Sequence, residues 1–458
     1  MEFKQTHPSP SPKLKPRLII HGGAGNVQRD TFTPEKYELY RTTLLSIVSK
    51  TAAYMDGVAS DGKRRPRPSA LEIATHAVVQ LEDSPLFNSG HGAVFTRDGI
   101  NELEASVMVS HGRAKRGVGV MGLRRVRNPI LLARRMLEEG DKDLAPKMSS
   151  SSPNFMATGE GGDLDVPSAQ GHTQIYGETA EQLARQYGLD IVDKSYFFTQ
   201  QRWDEHIRAL EQEKLGRGGA TWAVDEYLPQ GTCGAVAMDE DGVVCAATST
   251  GGLTNKLTGR VGDTPVPGAG FWAEEWEEEG PPSSFWDMSK AAVTSYGSPF
   301  FGLSDSLRGL VADCLPNPSL YSPISSRLPV TGTVTTRSMG VSGTGNGDSF
   351  LRTNAARTVA AMARFKPESI AKALANVAGT GGELQRSAGS RFGKTGEGEG
   401  GMIAIESVIS RDSQGRIVDA GAEILMDFNC AGMFRAWIDD DGKPAMSIWS
   451  RGAEDGFH

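Results

Sequence analysis

The chain has 458 residues but lacks several features that would place it in a class at once. Its four cysteines include no CxxC pair, which argues against a disulfide framework and against a cysteine-based zinc site. No stretch reaches the ~18 apolar residues that cross a bilayer, and residues 1–20 are polar and proline-rich, unlike a secretory signal. Basic residues (48 Lys and Arg) are fewer than acidic ones (56 Asp and Glu), which disfavours nucleic acid and anionic membranes as partners. We therefore expect a cytoplasmic protein with reduced thiols.

Several common catalytic motifs are also missing. There is no G-x-S-x-G turn for a serine nucleophile and no H-E-x-x-H helix for zinc, and the eight histidines lack metal-ligand spacings. In segment 389–395 the first glycine is one residue too close to the Gly-Lys-Thr for a phosphate-binding loop. Segments 22–25 and 343–347 do not fit the dinucleotide pattern, so nucleotide binding is disfavoured. His21 and His91 are candidate bases, although turn histidines bonded to the backbone are the favoured interpretation.

Hydrophobic periodicity predicts a mixture of helices and paired strands. Helical spacing predicts helices over 34–55, 69–81, 129–139, 355–365 and 369–378. Short apolar runs predict strands over 17–20, 93–96, 105–110, 117–123 and 401–407, the first followed by a glycine loop at 21–25. Runs 234–238 and 243–248 flank a short acidic glycine turn and predict a β-hairpin. This mixture favours an α+β sandwich over a parallel βαβ sheet.

Four segments lack such periodicity. Residues 1–16 are predicted to form a mobile tail. The stretches 147–165, 274–337 and 382–400 are rich in Gly, Ser, Pro or charged residues. We expect all three to be surface loops or insertions on one compact fold.

One set of residues suggests chemistry. Gly231-Thr232-Cys233 begins the first hairpin strand and Thr250 ends the second, and a hairpin brings these two ends together. Arg260 and Asp263 follow in a glycine-rich loop, three residues apart, and the segment SGTGNGD comes later. Threonine and glycine are common at strand ends, but the ordered set with its charged pair points to a site.

These segments resemble the plant-type asparaginase and isoaspartyl peptidase family of N-terminal-nucleophile hydrolases. The resemblance covers most of the chain outside the tail and the three irregular stretches. The matching segments are IIHGGAG (19–25), LFNSGHGAVFTRDG (86–99), ELEASVM (102–108), RNPILLARRM (127–136), GTCGAVAMD (231–239), ATSTGGLTNKLTGRVGDTPVPGAG (247–270), SGTGNGD (342–348) and FNCAGMFRAW (428–437). Cys233 stands where the family usually has valine, and the segment 274–337 is far longer than the family's connection.

The resemblance implies a four-layer αββα sandwich that cuts itself between Gly231 and Thr232. The products would be an α chain (17–231 with its tail) and a β chain (232–458). Thr232 would then be an N-terminal nucleophile whose own α-amine is the general base, since an α-amine titrates near ~7.7–8.0.

The remaining roles are implied in the same way. Thr250 would orient the hydroxyl of Thr232, and the Thr344 hydroxyl and Gly345 N–H would form the oxyanion hole. Arg260 would bind the substrate α-carboxylate, for which a guanidinium has bidentate geometry, and Asp263 with Gly345 would bind the α-ammonium. The remaining supporting candidates are Gly22, Gly23 and Asn88.

No catalytic cofactor is expected, only a structural sodium ion on backbone carbonyls. The implied donors are Leu81, Glu82, Ser84, Phe87, Ser89 and His91. The implied reaction is hydrolysis of the side-chain amide of L-asparagine or of isoaspartyl dipeptides, in a dimer of αβ units. Two alternatives stay open: a glycosylasparaginase, to whose branch SGTGNGD is closer, and an uncleaved binding paralogue. The asparaginase-type loops and the intact residue set disfavour them.

Overall fold

A computed structural model describes residues 14–30, 32–57, 66–112, 115–145, 164, 168–215, 231–279, 332–366 and 368–449. Most of the predicted tail, nearly all of the 147–165 insertion and residues 280–331 of the second insertion lie outside these ranges. The fold described below is therefore that of residues 14–215, 231–279 and 332–449, with the short gaps given above.

Strands and helices are mixed in the N-terminal half of the described residues, and the C-terminal half has runs of four strands, four helices and four strands. The strands are β1 Arg17–Gly25, β2 Leu103–Val109, β3 Gly117–Leu123, β4 Gln174–Tyr176, β5 Cys233–Met238, β6 Val244–Thr250, β7 Phe271–Glu279, β8 Val334–Gly345, β9 Gly400–Arg411, β10 Ile417–Phe428, β11 Gly432–Ile438 and β12 Pro444–Ser447. The α-helices are α1 Pro34–Met55, α2 Ala70–Glu82, α3 Pro129–Leu144, α4 Gly177–Gln186, α5 Gln200–Lys214, α6 Gly347–Thr353, α7 Ala355–Phe365, α8 Ile370–Ala378 and α9 Glu383–Ala388. None of the described helices is long and apolar enough to cross a membrane.

The strands form two sheets. The larger has the order β12-β11-β1-β5-β6-β2-β3-β4, and the smaller has the order β10-β9-β8-β7. All neighbouring strands are antiparallel except β3 and β4. The predicted hairpin is β5 and β6, which pair directly at the centre of the larger sheet.

Apolar residues separate into three cores. Helices α1, α2 and α3 cover one apolar cluster on the larger sheet, and α7 and α8 cover another on the smaller sheet. A third cluster, with Ile19, Val236, Phe271 and Ile403, joins residues of both sheets. The chain is thus α+β, as predicted, and the helices lie on sheets that are almost wholly antiparallel.

Three of the predicted helices begin at residues whose side chains cap them. Ser69 caps α2 in a capping box with Glu72, and the hydroxyl of Ser369 accepts a hydrogen bond from the N–H of Lys372 at the start of α8. Thr33 caps α1, which begins with a proline. These signals are local in sequence, which explains why the predicted helices match the observed ones closely.

Two predicted elements at the N-terminal side are wrong. The expected glycine loop at 21–25 is part of β1, which continues past a bulge between His21 and Gly23 because it is paired with β11. The expected strand 93–96 is not a strand: Asn101 Nδ2 donates to the carbonyls of Ala93 and Val94, which takes up groups that a strand partner would use.

Parts of the two C-terminal irregular stretches, 274–337 and 382–400, have regular structure. The first has regular ends, because its starting residues lie in β7 and its last residues in β8. The stretch 382–400 is not simply a loop, since it contains α9, whose Leu384 is buried against the α7–α8 core. One buried leucine in a six-residue helix gives too little periodicity to predict from sequence.

Candidate active site

Thr232 lies directly before β5, between the two sheets, and is almost fully buried (6% exposed). Its hydroxyl lies 3.4 Å from the hydroxyl of Thr264, and its carbonyl oxygen accepts a hydrogen bond from His21 Nδ1 at 3.0 Å. Sequence reasoning overlooked Thr264. Its only signal was its position directly after Asp263, in a chain with many threonines.

A neutral hydrogen-bond chain leads to Thr232. Burial lowers the pKa of His21 to about 3, so the ring is neutral. Because a carbonyl can only accept, Nδ1 carries the hydrogen and Nε2 is an acceptor. Ser342 Oγ therefore donates to His21 Nε2 at 2.7 Å, and Thr248 Oγ1 donates to Ser342 Oγ at 2.9 Å. His21 is a backbone-bonded histidine, as favoured, but the carbonyl it binds is that of the predicted nucleophile.

Gly231 is enclosed by backbone and by Thr344. A Cβ on Gly231 would come within 2.5 Å of Ala24 N and 2.6 Å of both Gly23 Cα and Thr344 Oγ1. Gly23 itself has φ +124°, a conformation that favours glycine. Thr344 Oγ1 accepts from the N–H of Ala24 at 3.2 Å, so its own hydrogen is available to another acceptor. The predicted supporting residue Gly23 and the predicted oxyanion donor Thr344 thus enclose the predicted cleavage site, whereas a Cβ on Gly22 would meet the ring of Phe87.

Gly345 follows Thr344 at the end of β8. Its φ is +143°, and a Cβ there would collide with the backbone of Glu399 and Gly400 on β9. Only glycine fits at this position.

Thr250 is the last residue of β6, at the end of the strand that lies beside the start of β5. The register pairs Cys233 with Ser249, and its continuation by one residue sets Thr232 opposite Thr250. The structure does not bond their hydroxyls to each other: Thr250 Oγ1 accepts from the N–H of Gly252 at 3.0 Å. The orienting role of Thr250 stays a prediction.

Asn88 connects the loop after α2 to the residues that follow Thr250. Its Nδ2 donates to the carbonyl of Gly252 at 2.7 Å, its carbonyl accepts from the N–H of Gly251 at 3.1 Å, and its Oδ1 accepts from the N–H of Val94 at 3.1 Å. The side chain therefore ties the loop after α2 to the turn that follows Thr250, rather than closing a local turn only.

The predicted charged pair lies on the loop after β6. Arg260 Nη2 donates to Asp348 Oδ1 at 3.1 Å, at the start of α6. Asp263 is buried (5% exposed), and within the described residues its Oδ2 has no hydrogen-bond partner. A Cβ on Gly347 would lie 2.6 Å from Asp263 Oδ1 and 3.0 Å from Arg260 Nη2, so the two side chains lie side by side.

The unpartnered carboxylate is electrostatically unusual. Burial raises the pKa of Asp263 to about 7, with Glu104 and Asp348 adding to the increase and Arg260 opposing it. A buried carboxylate with a free oxygen is costly unless a cation pairs with it. The site is therefore suited to a ligand that carries an ammonium group.

Cys233 is not a competing nucleophile. It follows Thr232, but its side chain packs in the core under the helices, on the opposite face of the strand. Burial raises the pKa of its thiol to about 12, so the reactive thiolate is not formed at neutral pH.

The loop after α2 is tightly folded around its carbonyl groups. A Cβ on Gly90 would collide with the carbonyl of Glu82, and one on Gly92 would collide with that of Phe87. The carbonyls of Phe87 and Ser89 each accept one backbone N–H, at 2.9 Å and 3.1 Å, which leaves each a second lone pair. Such oxygens suit a hard cation. No group of three or more His, Cys, Asp or Glu side chains that could hold a metal occurs in the described part of the chain.

Arg202 on α5 also holds this loop. Its Nε donates to the carbonyl of Gly92 at 2.9 Å and its Nη2 to that of Leu86 at 3.3 Å. His91 Nδ1 donates to the carbonyl of Tyr196 at 2.6 Å, so it too is a backbone-bonded histidine, as favoured. Arg202 is nearly fully buried, and nothing in its polar sequence surroundings indicated this.

Comparisons with known proteins agree on one family. A sequence model described as asparaginase matches residues 14–155 and 165–277. The chain is 30% identical over 434 residues to the isoaspartyl peptidase of Escherichia coli K12, a match covering 94% of this chain and 95% of that protein. It is 31% identical to the isoaspartyl peptidase of Salmonella typhimurium, over 94% of this chain and 98% of that protein. It is also 32% identical to the plant-type L-asparaginase of Pyrococcus abyssi, over 56% of this chain and 70% of that protein.

Proposed function

From the premise that this chain belongs to the asparaginase family, and is therefore a hydrolase, we propose that it cleaves side-chain amide bonds of aspartyl compounds. The substrates would be L-asparagine and isoaspartyl dipeptides, with aspartate as a product. The nucleophile would be Thr232, freed by self-cleavage.

The observation that carries this proposal is the buried Asp263 beside Arg260. Its unpartnered oxygen and raised pKa fit a carboxylate that waits for an ammonium group. Arg260 is still 18% exposed and can turn part of its guanidinium to a carboxylate. An ammonium and a carboxylate on one carbon, as in asparagine and isoaspartyl dipeptides, complement this pair.

Self-cleavage is supported by the packing around Gly231. In this proposal the Thr232 hydroxyl adds to the carbonyl carbon of Gly231, the C–N bond breaks, and the resulting ester is hydrolysed by water. Thr344 Oγ1, which lies beside Gly231 with its hydrogen available, would stabilise the developing oxyanion. Neutral His21 would hold the carbonyl of Thr232 in place during both steps.

After cleavage the Thr232 α-amine would be the general base. It would take the hydroxyl proton as the oxygen attacks the substrate amide and pass it to the leaving amine; water would then hydrolyse the acyl ester. A neutral His21 matters here, because a nearby positive charge would lower the pKa of the amine. Thr250 and Thr264 would orient the hydroxyl, and Thr344 with the N–H of Gly345 would bind the oxyanion.

The finer architecture belongs to the same proposal. Helices on the larger sheet, two sheets in contact and helices on the smaller sheet support a four-layer αββα sandwich. We further propose a dimer of αβ units. The carbonyls of Leu81, Glu82, Ser84, Phe87, Ser89 and His91 would hold a sodium ion, whose contribution would be to stiffen the loop that carries Asn88.

The test is intact mass and N-terminal sequencing of the purified protein, followed by hydrolysis assays. We expect two chains, the second beginning Thr-Cys-Gly-Ala, and release of aspartate from L-asparagine and from β-Asp-Leu. Thr232→Ala should stay a single inactive chain. A wild-type chain that stays uncut, or a Thr232→Ala variant that keeps its activity, would contradict the proposal. Faster hydrolysis of a GlcNAc-asparagine conjugate would favour the glycosylasparaginase alternative.

A further inference from the structure

Two buried carboxylates at the start of β2 face the loop that follows β6: Glu102 directly precedes the strand and Glu104 is its second residue. Glu102 and Glu104 are each only 1% exposed. Glu102 Oε2 accepts from the N–H of Gly259 at 2.7 Å, and the carboxylate of Glu104 accepts from the N–H of Gly262 at 3.0 and 3.2 Å. Two glutamates, two residues apart in sequence, thus hold two amides that are three residues apart in the loop. The segment ELEASVM, which contains both, has no role in the mechanism above.

The amide that Glu104 binds belongs to a residue between the two members of the charged pair. Gly262 stands between Arg260 and Asp263 in sequence. A Cβ on Gly262 would lie 2.8 Å from Arg260 Nη1 and 3.1 Å from Glu104 Oε2, so both groups are on the same side of the loop. In the sheet, Glu104 pairs directly with Thr250. One side chain thus lies under the loop and next to the residue opposite the nucleophile.

Glu102 differs in its second contact. Its Oε1 accepts from Arg124 Nη2 at 2.7 Å, on the far side of β2, and its main-chain oxygen accepts from Lys256 Nζ at 2.9 Å. Glu102 therefore anchors the middle of the loop, whereas Glu104 anchors the end that carries the charged pair.

We propose that Glu104 is a positioning residue of the substrate site: by holding the N–H of Gly262 beside Arg260, it sets where Arg260 and Asp263 meet the substrate. The inference rests on the proposed function. In this proposal the carboxylate of Glu104 does not touch the substrate, but it sets the positions of Arg260 and Asp263, which do.

Charge adds a second effect of Glu104. Arg260, Asp348 and Glu104 all face Asp263, and the negative charge of Glu104 helps to raise the pKa of that carboxyl. Removing this charge should lower the pKa of Asp263 and so keep it ionised at lower pH. A residue that only supports the fold would not change this titration.

The experiment compares Glu104→Gln with Glu102→Gln in the full, cleaved protein. The second variant is the control, because Glu102 directly precedes the same strand, is equally buried and is also bonded to a loop amide; it additionally weakens the ion pair with Arg124. L-Aspartate binding is measured by calorimetry, and kcat and KM are measured on β-Asp-Leu from pH 5 to 9. Glu104→Gln should weaken aspartate binding and raise KM about 10-fold, with kcat changed less than about 2-fold. Its acid limb of kcat/KM should move to lower pH, and Glu102→Gln should change KM less than about 3-fold.

The outcomes separate the positioning role of Glu104 from the proposed function. Wild-type KM and pH profile in Glu104→Gln, or equal effects in both variants, would overturn the positioning role. Wild-type protein that binds aspartate but hydrolyses neither substrate would overturn the proposed function, and the aspartate affinities would still decide the role of Glu104. Wild-type protein that does neither would overturn both.

Discussion

The two ends of the site are built from different chemistry. At the nucleophile end (Thr232, His21, Ser342, Thr248 and Thr344) the groups are buried and uncharged, and each hydrogen bond from Thr248 to the carbonyl of Thr232 has an assigned direction. At the charge end (Arg260, Asp263, Asp348 and Glu104) four charged groups meet, and one buried oxygen has no partner within the described residues.

The two ends differ in whether their buried polar groups are satisfied before a substrate binds. A satisfied network of neutral side chains is rigid and adds no titrating side chain near the nucleophile, which suits a group that must attack one bond in one direction. A buried carboxylate with one unbonded oxygen destabilises the empty protein even with Arg260 nearby, and a ligand ammonium relieves that cost on binding. The nucleophile end is thus prepared before the substrate arrives, whereas the charge end is completed by it.

Asp263→Asn gives the largest expected effect, because it removes the charge but keeps the shape. A hydrogen bond between two charged groups contributes about 1.5–3 kcal/mol, so KM for L-asparagine should rise about 10- to 150-fold. Self-cleavage should proceed as in the wild type, since the described contacts around Gly231 do not include Asp263. Steady-state kinetics and intact mass check the two statements. The exposed Asp419→Asn is the control, and an unchanged KM in Asp263→Asn would remove the assigned role.

The raised pKa of Asp263 should also make the free energy of unfolding depend on pH. The pKa of Asp263 is about 7 in the folded state, against an ordinary value near 3.8. Between these values the folded protein holds a proton that the unfolded chain has lost, so this group makes stability fall as pH rises through that window. Asp263→Asn lacks the group, so its free energy of unfolding relative to wild type should increase by about 2–3 kcal/mol from pH 5 to pH 7.

Urea unfolding at several pH values measures this difference. The Asp419→Asn control should run parallel to the wild type, because that side chain is exposed. A constant difference between Asp263→Asn and wild type would mean that Asp263 is already paired in the empty protein, and the contrast between the two ends would disappear.

The nucleophile end was easier to predict from sequence than the charge end. The hairpin signal around Asp239 and Gly242 sets the register, and the register alone sets Thr232 opposite Thr250. Arg260 and Asp263 were indicated only by their spacing and the family resemblance. Glu104 was not indicated, because nothing local says which buried strand residue meets a loop more than 150 residues later, where its bonded amide is that of Gly262.

Glycines in strands have two different causes here. The glycine-rich run from His21 to Gly25 predicts a loop, but pairing with β11 makes it a strand, since tertiary partners override local preference. In the second strand region, Gly234 leaves room for the His21 ring beside Ser342, because a Cβ there would collide with both. A glycine in a strand therefore marked a close approach that only the folded chain reveals.

Ser342→Ala gives the smallest expected effect and tests the neutral end. It leaves the Thr248 hydroxyl and His21 Nε2 without their partner, which should lower the free energy of unfolding by about 1–2 kcal/mol. Ser410→Ala is a matched control, because Ser410 Oγ pairs with Thr335 Oγ1 at 2.9 Å in the same smaller sheet and both are buried. Both variants should lose similar stability, measured by urea unfolding. Only Ser342→Ala should lower kcat, by about 3- to 10-fold, since only it frees the His21 ring that holds the carbonyl of Thr232. Because no titratable group is removed, its pH profile should match the wild type. A shifted profile would mean that the His21 network influences the pKa of the Thr232 α-amine, and that the network does more than hold the carbonyl of Thr232.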